Sequence, residues 1–87
     1  MKVQPDFQLY FSHLISIMNI QSILFSRDKF SRTQTIEWLK SHNKKHLLDV
    51  KLKHYRARQI EPSRFISSTF RTITISPGVQ MIIGKLK

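Results

Sequence analysis

Apolar and polar positions along the chain alternate between helical and strand patterns, changing three times from the first element to the last. In FQLYFSHLISIM, Phe7, Tyr10, Phe11, Leu14 and Met18 recur at spacings of three and four, which gathers them on one face of a helix. Ile20, Ile23 and Phe25 then form a short apolar run with strand character. Ser31 and Gln34 have the S-x-x-Q spacing of a capping box, in which the serine hydroxyl accepts from the third helical amide while the glutamine reaches back to the cap. The helix predicted to follow covers 32–42. Thr35, Ile36, Trp38, Leu39 and His42 fall on its core-facing half, with Glu37, Lys40 and Ser41 opposite. Asn43, Lys44 and Lys45 are stop signals, the cations suiting the negative end of the helix dipole.

Beyond the helix the period becomes 2. Val50 and Leu52 alternate with Lys51 and Lys53, and after a phase shift near His54, Tyr55, Ala57 and Gln59 alternate with Arg56 and Arg58. Such a shift predicts a bulge or a short break between two strand pieces. Glu61-Pro62-Ser63 reads as a turn, with Phe65 and Ile66 returning to the core. A strand over 70–76 turns Ile73 and Ile75 one way and Thr72 and Thr74 the other, and its partner covers 79–83. Between them Pro77-Gly78 suits a type II turn, proline fixing φ near −65° and glycine accepting positive φ. The order β-α-β-β-β predicts an α+β fold: a small, mainly antiparallel sheet with one helix packed on one face, spanning 18–87. Residues 1–17 are read as an N-terminal extension, helical or loosely attached.

Composition narrows the function classes. The 87 residues suit a single small domain with no room for two independent cores. Without cysteine there is neither a disulfide framework nor a thiolate zinc site, which fits an intracellular or virion-interior setting. Fifteen Lys and Arg against five Asp and Glu give +10, and because 1–17 hold only Lys2 and Asp6, residues 18–87 carry the entire excess. A field of that sign attracts nucleic acid, acidic proteins and anionic lipid. Phe7 to Ser26 is free of charge, but Gln8, Ser12, His13, Ser16, Asn19, Gln21 and Ser22 argue against a membrane span. Pro5 and Asp6 stand where a signal peptide would begin its apolar region.

Catalytic chemistry is thinly represented. The two glycines, Gly78 and Gly84, make no phosphate loop, and Asp6, Asp28, Glu37, Asp49 and Glu61 are scattered, so no enzyme and no cofactor is expected. His42 and His46 are four apart, but Lys44 and Lys45 between them repel a cation and no third ligand is near, so no metal site is expected. The stronger candidate is a basic sheet face of Arg56, Arg58, Arg64 and Arg71, assisted by Lys51 and Lys53, gripping the phosphates of DNA or RNA. A wet sheet face also carries long basic side chains for solubility, yet solubility needs a net charge of only about 2 to 8. Arg56 has a second reading, holding the fold by pairing with Asp49 or Glu61. Tyr55 is the one strand aromatic beside the arginines; Trp38, Phe65 and Phe70 read as structural.

From Met18 onward the ordered blocks IQSILFSRDKF, SRTQTIEWLKSH, YRARQIEPSRF, FRTITI and GVQMIIGKLK resemble a small domain of bacteriophages and large DNA viruses, over about 70 of the 87 residues. Ala57 stands where that family has an aromatic between the two arginines, and Asn43, Lys44 and Lys45 stand where it has a glycine and an aromatic. The family consists mainly of uncharacterised proteins, some encoded near head and virion genes. The resemblance implies a viral or phage origin and a place in the virion or the host-cell interior, cytoplasm or nucleus. The resulting expectation is a non-enzymatic viral accessory protein that binds nucleic acid. Its rival is a virion-associated or host-directed interaction module that docks on an acidic protein surface.

Overall fold

Phe25 shows why sheet and helix need each other. It lies in β1 (Asn19–Ser26) and is fully buried, with the rings of Phe30 and Trp38 meeting it edge-on at centroid distances of 5.3 and 5.2 Å. In the computed structural model, which describes residues 17–87, Trp38 comes from the helix α1 (Arg32–Ser41). Four more strands follow: β2 (Leu48–Val50), β3 (His54–Arg58), β4 (Arg71–Ser76) and β5 (Val79–Gly84). They form one antiparallel sheet in the order β2-β3-β1-β5-β4. The expected helix over Phe7, Tyr10, Phe11 and Leu14 lies outside the described residues.

The architecture is the predicted α+β one, with one strand more than expected. Ile23 pairs with Ala57 and Met81, and Phe25 with Tyr55 and Val79, so one sheet face presents Ile23, Phe25, Ala57, Val79, Met81 and Ile83 to Leu39 of α1. Arg56, Arg58, Leu24, Gln80, Thr72 and Thr74 alternate with these residues and so belong to the opposite face. The phase shift near His54 is a chain reversal rather than a bulge in a continuing strand. The Lys51 amide donates to the His54 carbonyl at 2.9 Å, so Leu52 and Lys53 form the tip of a hairpin whose strands pair Val50 with Tyr55. Arg27 holds this tip, its guanidinium donating to the Lys51 carbonyl at 2.8 Å and lying over the Tyr55 ring.

Both ends of α1 follow from local chemistry. Ser31 accepts from the Gln34 amide at 3.1 Å, and Gln34 Oε1 accepts from the Ser31 amide at 2.9 Å, completing the capping box. Ser31→Ala removes one of these bonds and is expected to cost about 1 kcal/mol, read as a lower urea midpoint at unchanged slope. At the other end Asn43 has φ 61°, a left-handed conformation that asparagine tolerates better than most residues. Its amide donates to Lys40 and that of Lys44 to Leu39, the paired bonds of a Schellman motif. His42 therefore ends the helix and His46 lies beyond it. His42 stacks on Trp38 at 3.8 Å and its Nδ1 donates to the Trp38 carbonyl at 2.8 Å.

The connection from β3 to β4 crosses two strands, and Gly84 makes room for it. A Cβ at Gly84 would lie 2.9 Å from Phe65 and 3.0 Å from Phe70, whose rings close over that backbone. Phe65 is buried as predicted, whereas Ile66 is exposed. In the β4–β5 hairpin Gly78 has φ 81°, the conformation required where Pro77-Gly78 was expected to turn.

Candidate nucleic-acid interface

A bulge in β1 begins the construction of the site. Ile20 pairs with Ile83 and Ser22 with Ile82, which leaves Gln21 as the extra residue. Its carbonyl accepts from the amides of Gln59 and Ile60 at 2.8 and 3.3 Å, and its side-chain amide donates to the Ile60 carbonyl at 3.0 Å. The chain leaving β3 is thereby fixed to the central strand. Gln59, itself buried, then clamps Lys45, accepting from its amide and donating to its carbonyl, both at 3.0 Å. One end of the sheet thus gathers the exit of β3, the stretch after α1 and the turn at Pro62–Arg64.

The tail adds to the same end. Phe65 bridges Leu86, the Ile66 amide donates to Lys85 at 2.8 Å, and the Lys87 amide donates to Arg64 at 3.0 Å. This short antiparallel pairing sets Arg64 opposite Lys87. Like charges in that position repel each other, and packing gives no reason for the pair because both residues are exposed. Arg71 begins β4 at this end also, opposite Ile83, and donates to the Phe70 carbonyl at 2.9 Å.

The predicted arginine and lysine face therefore divides. Arg58 and Arg64 come together, lining an open groove of about 390 Å³ with Lys45, Leu47, Asp49, Gln59, Ile60 and Glu61. Arg71 shares the end of the sheet but lies three strands away from β3, and its register with Ile83 places it on the helix side. Lys51 and Lys53 belong to the β2–β3 turn at the opposite end, because the strand assumed to continue through them reverses there.

Arg56 is committed to the fold. Its Nε donates to Ser22 Oγ at 3.0 Å and its Nη2 to Gln21 Oε1 at 2.9 Å, while Ser22 Oγ donates to Gln21 Oε1 at 2.8 Å. Arg56 thus bonds within the fold to neutral partners, and the expected ion pair with Asp49 or Glu61 does not form. Asp49 is its cross-strand neighbour in register, while Glu61 pairs with Arg58, Nη1 to Oε2, at 3.5 Å.

Lys44, Lys45, Lys85 and Lys87 join the site without having been singled out for it. Lys44 and Lys45 read locally as helix-stop residues, and only the pairing of 85–87 with 64–66 brings the tail alongside. Seven cations, Lys44, Lys45, Arg58, Arg64, Arg71, Lys85 and Lys87, then share one end of the sheet. Among the described residues the Arg58–Glu61 contact is the one ion pair formed. The described residues hold no cluster of three potential metal ligands and no helix long and apolar enough to cross a membrane. A scan against protein-family models finds no match, and comparisons with curated proteins and with solved structures find none either, so the reading of this surface rests on its own geometry.

Proposed function

We propose that the protein is a non-enzymatic nucleic-acid-binding protein that grips the phosphate backbone with the cationic end of its sheet. The observation that carries this reading is the Arg64–Lys87 opposition beside the groove that Lys45 and Arg58 line, where Arg58–Glu61 is the one ion pair among the described residues. Concentrating like charge in this way works against the compact state, and a polyanion relieves it by neutralising the cations while releasing counterions. Arginine and lysine contacts to phosphate supply affinity without reading sequence. The resemblance to phage and large-DNA-virus domains supports a role as a viral accessory protein, acting in the virion or the host-cell interior.

Fluorescence anisotropy with labelled single- and double-stranded DNA and RNA, titrated with salt, tests the proposal. Replacing Arg58, Arg64 and Lys87 together by alanine is expected to weaken binding and to reduce the log–log salt slope on duplex DNA by about 2 to 3. An unchanged slope in a folded variant overturns the assignment of the surface. A second reading is docking on an acidic protein, which the same cations would attract and to which Leu47 and Leu52, 88% and 87% exposed on either side of β2, would add apolar contacts. It predicts a partner complex that Leu47→Ser/Leu52→Ser disrupts while polyanion binding persists.

A further inference from the structure

Glu61 sits among the cations of the groove and is bound to one of them. It immediately precedes the 3₁₀ turn Pro62–Arg64, and Pro62 at the first position of that turn limits its freedom. The Arg64 amide donates to the Glu61 carbonyl at 3.1 Å, so Glu61 stands between Arg58 and Arg64 in the chain and lines the same groove with them. Its Oε2 is 3.5 Å from Arg58 Nη1, a separation longer than a good charge-assisted hydrogen bond. The Arg58 and Glu61 side chains are 45% and 65% exposed, so water reaches both partners and the contact opens at little cost.

The backbone beneath this contact is held far more firmly than the contact itself. Gln21 fixes Gln59 and Ile60, Gln59 fixes Lys45, and Lys87 pairs with Arg64. Opening the ion pair therefore frees a guanidinium without dismantling the groove.

We infer that Glu61 is an internal competitor for the phosphate backbone: it occupies Arg58 in the free protein, and a nucleic-acid phosphate displaces it. The inference rests on the polyanion reading of this surface and adds a specificity determinant to it. A phosphate accepts both forks of a guanidinium and is flanked here by Lys45 and Arg64, whereas Glu61 makes one long contact. The carboxylate then remains near the bound backbone and repels it, so affinity is held below what the cations alone would reach. The groove is selective against weakly charged ligands, because only a ligand that meets several cations at once compensates for the displaced pair.

Glu61→Gln tests this beside Glu37→Gln, which makes the same change in charge on the exposed surface of α1. Binding to a labelled short duplex DNA is measured by anisotropy across potassium chloride, with thermal melts to verify folding. Removing an exposed pair together with an adjacent negative charge is expected to tighten binding about fivefold for Glu61→Gln, and less than about twofold for Glu37→Gln. In an Arg58→Ala background the Glu61→Gln gain is expected to shrink to the Glu37→Gln level, because the competed guanidinium is gone. Equal gains for the two glutamine variants, or a Glu61→Gln gain undiminished by Arg58→Ala, would overturn the inference while leaving polyanion binding intact. Failure of wild type and every variant to bind with any salt dependence would instead overturn the polyanion reading and this inference with it.

Discussion

Phe25→Ala is expected to lower stability by about 3–5 kcal/mol, enough to remove most of the cooperative unfolding transition. Phe25 is fully buried in the central strand and joins sheet to helix through edge-on contacts with Phe30 and Trp38. Alanine leaves a cavity bounded by Ile23, Leu39 and Val79, residues held by strand pairing or helix capping and so unable to close over it fully. A domain of this size has a total stability on the order of 4–10 kcal/mol, so the loss is a large share of it. Trp38, the only tryptophan, lies against Phe25, so guanidinium denaturation followed by its fluorescence reads the effect directly. Phe25→Leu, which keeps most of the volume, is expected to cost clearly less. A loss below about 1 kcal/mol for Phe25→Ala would mean that this aromatic cluster is not the centre of the fold.

Arg56→Ala is expected to cost about 2 kcal/mol while leaving the salt dependence of nucleic-acid binding nearly unchanged. Arg56 makes two charge-assisted bonds to Ser22 and Gln21, and both of those residues are buried on the central strand. Gln21 is also the bulge residue that fixes the exit of β3. Alanine would open these polar groups to water and loosen the bulge. The cost is only moderate because Arg56 is half-buried and Ser22 and Gln21 still bond to each other. Urea unfolding of Arg56→Ala and Arg56→Lys separates shape from charge: lysine cannot reproduce the two-pronged contact and is expected to recover little. If Arg56→Ala instead flattened the salt slope as strongly as Arg58→Ala at unchanged stability, Arg56 would be a phosphate contact and the structural assignment would be wrong.

The contrast between Arg56 and Arg58 shows where sequence reading stops. Both occupy the same alternation, face the same side of the sheet and differ by one turn of the pleat. Period 2 places them together and says nothing about what each meets. Gln21 and Ser22 lie 35 and 34 residues away in sequence, and their encounter with Arg56 depends on the register of β1 against β3 and on the bulge within β1. A shift of one residue in that register would turn every side chain of the strand to the other face.

What could be read along the chain was whatever is governed by neighbours within about four residues. The capping box at Ser31, the helix stop at Asn43, the turn at Pro77-Gly78 and the alternation of β3 and β4 are local competitions among backbone bonds and side-chain faces. These elements and the apolar faces they expose leave few arrangements besides a helix on an antiparallel sheet, so the α+β class was legible as well. The hairpin at Leu52–Lys53 was not, because its tip continues the alternation of the strand before it and contains no glycine, proline or asparagine to announce a reversal. Nor was the gathering of Lys45, Arg58, Arg64 and Lys87, whose positions follow from the crossing of 59–70 over the sheet and the return of the tail to 64–66. Charge carries no periodic signature of its own. A count of cations gives the sign of the field, and only the pairing of segments distant in sequence decides where that field is concentrated.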